Sequence, residues 1–131
     1  QNVKLINADA SRLQEFFPDG SVSRIYLNFS DPWPKKGYYK RRLTYRGFLE
    51  IYKKLVAPGG EIILKTDNEG LFDFSLDEFT ASGYELFGLT RDLHASEYAA
   101  DNIMTEYEKN FSEKGFKIHR VVARPTEKNR K

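Results

Sequence analysis

The sequence predicts an α/β domain built on a mostly parallel sheet. Apolar segments of strand length alternate along the chain with segments whose apolar residues recur at helical spacing. The segment 23–29 is almost continuously apolar, which is typical of a strand covered on both faces. With 131 residues, of which 40% are hydrophobic and 15% aromatic, the chain can form one domain with a core.

The elements follow in a regular order. Strands are predicted at residues 3–6, 23–29, 61–65, 84–89 and 116–123. Helices are predicted from residue 11 to 17, over 43–56, from 66 to 79 and over 105–114. Three helix starts have capping-box spacing: Ser11 with Gln14, Thr66 with Glu69, and Thr105 with Glu108. Residues 1–123 then form one domain, and residues 124–131 form a basic tail.

Composition excludes several classes of site. The sequence has no cysteine, which excludes disulfides, thiolate nucleophiles and cysteine-ligated zinc. His94 and His119 are too isolated to predict a metal site. Ser30 has no histidine nearby and no Gly-x-Ser-x-Gly motif, so a hydrolase is disfavoured. No apolar run reaches the length of a membrane span.

The sharpest pattern is Asp31-Pro32-Trp33-Pro34, directly after the apolar segment 23–29. Each proline biases the residue before it toward an extended conformation, so Asp31 and Trp33 are predicted to be extended and held stiffly. A fixed carboxylate beside an indole suits a nucleobase, because the carboxylate can accept hydrogen bonds from the edge of the base and the indole can stack on its face. The alternative is an ordinary Asp-Pro turn with a core tryptophan.

A basic segment follows this acid. No acidic residue occurs between Asp31 and Glu50, and Tyr38 and Tyr39 are interleaved with the cations. The pattern predicts a patch that binds phosphates and stacks on bases, and the alternative is a solvated surface run. The cations are Lys35, Lys36, Lys40, Arg41, Arg42 and Arg46.

Acids also follow two other predicted strands. Asp9, Asp31 and Asp67 each come just after a strand, and ligands of parallel sheets bind beyond the carboxyl ends of the strands. We therefore expect all three at one rim. Asp9 has an equally good interpretation as a helix-entry acid. Asp67 is expected in the first turn of a helix, where the helix dipole would stabilise it without any function.

These residues resemble the bacterial tRNA (guanine-N7-)-methyltransferases across nearly the whole chain. The resemblance implies a Rossmann-like class I methyltransferase sheet, mostly parallel with an antiparallel last strand. It also implies S-adenosylmethionine as cofactor and N7 of a guanine in the tRNA variable loop as target. We further expect no metal and a cytoplasmic location. The motifs that carry it are Asn28-Phe-Ser-Asp-Pro-Trp-Pro-Lys-Lys36, Lys40-Arg-Arg-Leu43, Pro58-Gly-Gly60, Lys65-Thr-Asp67 and Thr105-Glu-Tyr-Glu108.

The resemblance also implies roles for individual residues. Asp31 would lie at the reaction centre and contact the cofactor, and Asp9 would contact the cofactor near its adenine. The segment that would contact RNA contains Gly37, Tyr38, Tyr39, Lys40, Arg41 and Arg42. The residues that would bind substrate are Lys35, Asp67, Thr105, Glu106, Tyr107 and Glu108.

Other functions stay open at the level of sequence. A non-catalytic RNA-binding module could keep the sheet and the basic segment without a cofactor site. Methylation of a protein or a small molecule is a third alternative.

The sequence departs from the family at two places. The family usually has Arg-His where Gly37-Tyr38 stands here. Its glycine-rich loop and the acid after its second strand are absent, so the first strand here resembles the family's third. We therefore expect the C-terminal part of a longer protein, a partial methyltransferase domain that lacks the N-terminal strands. Segment 23–29 would then be an unpaired apolar edge that invites self-association.

Overall fold

A computed structural model describes residues 2–5, 10–29, 32–93 and 117–126. These residues form one mixed sheet with two α-helices and two short 3-10 helices. The 3-10 helices are Ala10–Glu15 and Lys36–Arg41, and the second is called the basic 3-10 helix below. The α-helices are α1 (Arg46–Leu55) and α2 (Glu69–Ala81). The strands are β1 (Asn2–Leu5), β2 (Val22–Asn28), β3 (Val56–Thr66), β4 (Tyr84–Thr90) and β5 (His119–Pro125).

The strand order is β1-β2-β3-β5-β4. Strands β1, β2 and β3 are parallel, and β5 runs antiparallel to both β3 and β4. The predicted α/β fold, with a mostly parallel sheet and an antiparallel last strand, is confirmed. Because β1, β2 and β3 share a direction, their carboxyl ends lie at one edge of the sheet, and this edge is called the rim below.

The prediction that segment 23–29 is an unpaired edge is wrong. Strand β1 pairs with β2 from Asn2 opposite Arg24 to Leu5 opposite Leu27. The backbone groups of β2 are therefore bonded on both sides, which is the arrangement that buried N–H and C=O groups require. Within the described sheet the edges are β1 and β4. Self-association through a sheet edge stays a prediction, and it would have to use one of these two strands.

The core lies between the sheet and the two α-helices. The central strands contribute fully buried side chains such as Ile25 and Leu64, and α2 contributes Phe79. Tyr52 of α1 is buried as well, and its hydroxyl donates to the Leu43 carbonyl at 2.8 Å. A buried hydroxyl is tolerated where it finds such a partner. The hydrophobic pattern of the sequence thus becomes one continuous core that holds the rim in place.

Both α-helices begin later than predicted. Helix α1 starts at Arg46, and the cap residue Tyr45 makes no side-chain hydrogen bond to the first turn. The Arg46 backbone N–H donates instead to the Glu78 carboxylate of α2 at 2.9 Å. Helix α2 starts at Glu69, and its cap is Asn68, whose Oδ1 accepts from the Leu71 N–H at 2.7 Å. The predicted Thr66 cap is therefore wrong, since Asn68 supplies the same acceptor closer to the first turn.

Two absences concern only the part of the chain that the structure describes. In these residues no helix combines the length and apolar character needed to cross a membrane. Nor do they contain a group of three or more His, Asp or Glu side chains placed to hold a metal ion.

Candidate functional site

The candidate site lies at the rim, where β2 and β3 end side by side. Asn28 is the last residue of β2, and it pairs with Lys65 of β3. The Phe29 N–H then donates to the Lys65 carbonyl at 2.8 Å, which joins the two strands at the point where β2 ends. The connection after β2 carries the Asp-Pro-Trp-Pro motif, and the connection after β3 carries Asp67. The topology therefore brings both motifs to the same edge.

The backbone is strained on both sides of residues 30 and 31. Phe29 has φ 55 and Trp33 has φ 42, a region that aromatic residues rarely adopt. The expectation that Pro34 keeps Trp33 extended is wrong, because packing of the indole overrides the local bias. Each such residue costs about 1–3 kcal/mol, and strain of this kind clusters at functional sites.

Trp33 packs into a small cluster with Tyr38 and Arg41. The indole meets the Tyr38 ring edge-on, with 5.7 Å between the ring centroids. The Arg41 guanidinium lies 5.1 Å from the Trp33 centroid and 4.7 Å from the Tyr38 centroid. Arg41 itself is exposed. The cluster therefore fixes the indole while it leaves a cation at the surface.

Arg42 has the opposite environment. Its side chain is buried, with 7% of the residue exposed, although its neighbours along the basic 3-10 helix are exposed. The guanidinium lies 4.4 Å from the ring centroids of both Tyr39 and Phe74. Its Nε donates to the Pro32 carbonyl at 2.8 Å. Burial lowers the pKa of Arg42, because desolvation disfavours the charged form.

The basic 3-10 helix presents most of its predicted RNA-binding residues to solvent. Lys35 precedes the helix, and its carbonyl accepts from the Tyr38 N–H at 2.9 Å, which starts the turn. Arg46 is the last cation of the predicted patch, and its guanidinium forms an ion pair with the Glu78 carboxylate at 2.9 Å. The exposed residues here are Lys35, Gly37, Tyr38, Tyr39, Lys40 and Arg41.

Asp67 lies in the turn between β3 and α2, and it is half-buried. The turn is held by the Asn68 N–H, which donates to the Thr66 Oγ1 at 3.1 Å. Asp67 therefore precedes the helix, and the prediction that it sits in the first helical turn is wrong. Its neighbours Thr66 and Asn68 are joined by this hydrogen bond, which fixes the backbone of the turn that carries Asp67 at the rim.

Comparison with known proteins identifies the family. A family profile described as "Putative methyltransferase" matches residues 1–121. The chain belongs to this methyltransferase family. The tRNA (guanine-N(7)-)-methyltransferase of Brevibacillus brevis is 53% identical over 122 residues, which are 93% of this chain and 57% of the relative. The protein of the same name from Streptococcus pneumoniae (strain Hungary19A-6) gives the same figures.

The family resemblance predicted from the sequence is thereby confirmed. The chain spans somewhat more than half the length of the curated relatives it matches, at 57%. Among solved structures, the antibiotic-resistance methyltransferase Kmr is similar with 17% identity and a TM-score of 0.47, over 82% of this chain and 55% of that one.

Several residues that the resemblance assigns to the site of this methyltransferase lie outside the described part of the chain. The structure places Lys35, Asp67 and residues 37–42 on the two connections at the rim. The residues outside it are Asp9, Asp31, Thr105, Glu106, Tyr107 and Glu108. Their roles stay predictions.

Two features of the candidate site were not predicted from the sequence. Asn28 Oδ1 is buried at the rim and has no hydrogen-bond partner among the described residues, which costs about 1–3 kcal/mol for a buried acceptor. Phe74 of α2 is the second feature, because it contacts both Tyr39 and Arg42. A polar residue that ends an otherwise apolar strand is the one sequence signal that could have indicated Asn28.

His119 is a second buried group near the rim. It opens β5 opposite Thr66 and stacks on Phe72 at 5.1 Å, and its Nδ1 has no hydrogen-bond partner in the described part of the chain. His119 is buried, with only 7% of the residue exposed. Burial lowers the pKa of His119, and the charge of Arg91 lowers it further. A hydrogen bond with the Arg91 backbone and the acids Glu69 and Asp73 oppose this shift with smaller effects.

This lowered pKa predicts a loss of stability in mild acid. Below about pH 6.5 the unfolded state binds a proton at His119 more readily than the folded state does. The free energy of unfolding should therefore fall as the pH drops from 7 toward 5, by at most about 1.4 kcal/mol per pH unit from this group. Urea titrations of the wild type and of His119→Gln measure it, and the variant should show a shallower decline. Parallel pH profiles of the two proteins would exclude His119 as the cause.

Proposed function

We propose that this methyltransferase transfers a methyl group from S-adenosylmethionine to N7 of a guanine in the tRNA variable loop. The observation that carries the proposal is the 53% identity over 93% of the chain to relatives named for this reaction. The rim geometry supports it, because a strained turn after β2 lies beside exposed cations and tyrosines. A tRNA substrate also makes the cytoplasm the expected location.

The rim has groups of the right chemistry for the cofactor. When bound, S-adenosylmethionine supplies a methyl group on a positively charged sulfur. Asn28 Oδ1 is a buried acceptor at the rim, and it has no partner among the described residues. Acceptors and carboxylates suit the hydroxyl, amino and sulfonium groups of such a ligand. Asp9 and Asp31, which also follow strands, would hold the cofactor.

The reaction asks mainly for positioning. Guanine N7 carries an available lone pair at neutral pH, so no side chain needs to act as a general base. Orientation of two bound reactants can supply on the order of 7–11 kcal/mol. Asp31 would orient guanine toward the methyl group, and Asp67 would fix the base. Residues Thr105, Glu106, Tyr107 and Glu108 would help to hold it.

The exposed face of the basic 3-10 helix would bind the RNA backbone. Lys35, Lys40 and Arg41 offer charge, and Tyr38 and Tyr39 are each 38% exposed and offer stacking surface. N7 faces the deep major groove of A-form RNA, which side chains reach poorly. The target guanine should therefore be unpaired or turned out when it reaches the rim.

Arg41 should contribute to the salt dependence of tRNA binding. Arg41→Gln removes one exposed cation and with it one contact to a phosphate, so the slope of log K against log salt should become shallower by roughly 0.7–0.9. Filter binding of tRNA at several salt concentrations measures this slope. Lys54→Gln is the matched control, because Lys54 is an exposed cation in the last turn of α1, away from the rim. Equal slopes for the wild type and Arg41→Gln would contradict the role of Arg41.

The function itself is tested with the full-length protein and unmodified tRNA. Methyl transfer from labelled S-adenosylmethionine should require the variable-loop guanine, and a tRNA with adenine at that position should accept no label. Chain cleavage at N7-methylguanine then locates the product. Binding of tRNA without binding of S-adenosylmethionine in calorimetry would instead favour a non-catalytic RNA-binding module. Transfer to a protein or small molecule without tRNA would favour the third alternative.

A further inference from the structure

Arg41 and Arg42 are neighbours in the sequence but have different surroundings. Arg41 is exposed and touches the rings of Trp33 and Tyr38. Arg42 is 7% exposed and lies between Tyr39 and Phe74, with a hydrogen bond of 2.8 Å to the Pro32 carbonyl. Among the described residues, no carboxylate pairs with Arg42. Its charge is therefore compensated by aromatic faces and a carbonyl, all supplied by the protein.

The contacts of Arg42 join three segments. The Pro32 carbonyl belongs to the turn after Asp31, Tyr39 belongs to the basic 3-10 helix, and Phe74 belongs to α2. Tyr39 and Phe74 also contact each other, with 5.7 Å between their ring centroids. The planar guanidinium thus fastens the turn to the helix layer of the core. A flexible ammonium group cannot stack and donate in this way at the same time.

The hydrogen bond from Arg42 reaches a peptide group next to a strained residue. The Pro32 carbonyl is part of the peptide that links Pro32 to Trp33, and Trp33 has φ 42. A backbone in this region persists only where its surroundings hold it. Arg42 holds the peptide from one side, and the Tyr38 and Arg41 contacts hold the Trp33 ring from the other.

We propose that Arg42 is a positioning residue, which fixes the Pro32–Trp33 peptide that directly follows Asp31 in the sequence, and does not bind an RNA phosphate. This proposal rests on the proposed function, since it concerns the same turn. It separates two arginines to which the family resemblance gives one role. The exposed Arg41 packs on Trp33 and can also meet an RNA phosphate, whereas the buried Arg42 acts only on the geometry of the Pro32–Trp33 peptide.

The test compares Arg42→Gln, Arg42→Lys and Arg41→Gln in the full-length protein. Arg42→Gln should lower kcat by about 10-fold to 100-fold, the scale of a misplaced reacting group, while the salt slope of tRNA binding stays at the wild-type value. Arg42→Lys should behave like Arg42→Gln, because the charge is kept and the planar group is removed. Arg41→Gln is the comparison for RNA binding, and it is the variant in which the salt slope should become shallower.

A spectroscopic measurement reports on the turn directly. Trp33 is the one tryptophan of this sequence. Subtracting the fluorescence of the Trp33→Phe variant from that of the protein with Trp33 leaves the Trp33 signal, which reports on the turn. Acrylamide quenching of Trp33 should increase in both Arg42 variants. If kcat and quenching stay at wild-type values while the salt slope falls, or if lysine restores the wild type, the proposal is overturned.

Two further arms keep the proposal decidable. If the Arg42 variants do not fold, Phe74→Leu replaces them, because it removes one of the two rings on which Arg42 packs and keeps the arginine charge. This variant should increase acrylamide quenching of Trp33 and lower kcat, and the salt slope of tRNA binding should not change. Wild-type quenching and kcat in Phe74→Leu would overturn the proposal. If the wild-type protein methylates no tRNA, the proposed function fails, whereas the quenching experiment still decides the role of Arg42.

Discussion

Replacing Asp31 with asparagine is expected to lower kcat for tRNA methylation by about 100-fold or more. Asparagine keeps the size of the side chain but removes its negative charge, which we place beside the cofactor and the target guanine. A small displacement of a reacting group can cost about 100-fold in rate, and the loss of charge adds to it. Single-turnover methyl transfer to tRNA measures the effect on the chemical step, and equilibrium binding shows whether tRNA still binds.

An acid at the opposite end of the sheet gives the matched control. Asp19 is exposed and lies in the turn before β2, at the amino end of the strand whose carboxyl end leads to Asp31. Asp19→Asn should leave kcat within about twofold of the wild type, because surface changes away from a site have small effects. If Asp31→Asn also stays within that range, Asp31 belongs to an ordinary Asp-Pro turn.

The sheet was predictable because burial decides it. Segment 23–29 was predicted as a strand from its apolar run alone, and the structure has β2 at Val22–Asn28. Helix starts were less predictable. Thr66 and Asn68 both offer a side-chain acceptor near the same turn, and only the path of the backbone decides that Asn68 caps α2. Local spacing identifies such candidates but does not choose between them.

The geometry of the candidate site was not predictable, because distant contacts determine it. Proline rules predicted an extended Trp33, yet the indole packs on Tyr38 and Arg41 and the backbone follows the ring. Arg42 looks like any other cation in Lys40-Arg-Arg, and its burial depends on Phe74 of α2, far along the chain. The pairing of β1 with β2 is likewise a choice of partner that hydrophobic patterning cannot make.

The central strand that carries this site should also be sensitive to a cavity. Leu27 is fully buried in β2, with β1 on one side and Leu64 of β3 on the other. Leu27→Ala should lower the free energy of unfolding by about 3 kcal/mol, since the reduced transfer energy and the new cavity add together. Urea unfolding followed by circular dichroism measures the change.

Leu27→Met separates a cavity from a general intolerance of substitution. Methionine nearly conserves the volume of leucine, so this variant should lose less than about 1.5 kcal/mol. Leu27 lies just before Asn28 and the strained Phe29, so a shift of the strand would also displace the start of the turn. Leu27→Ala should therefore lower kcat even under conditions in which the protein remains folded. If Leu27→Ala loses stability but keeps the wild-type kcat, the turn is held by Arg42 and the Trp33 cluster alone.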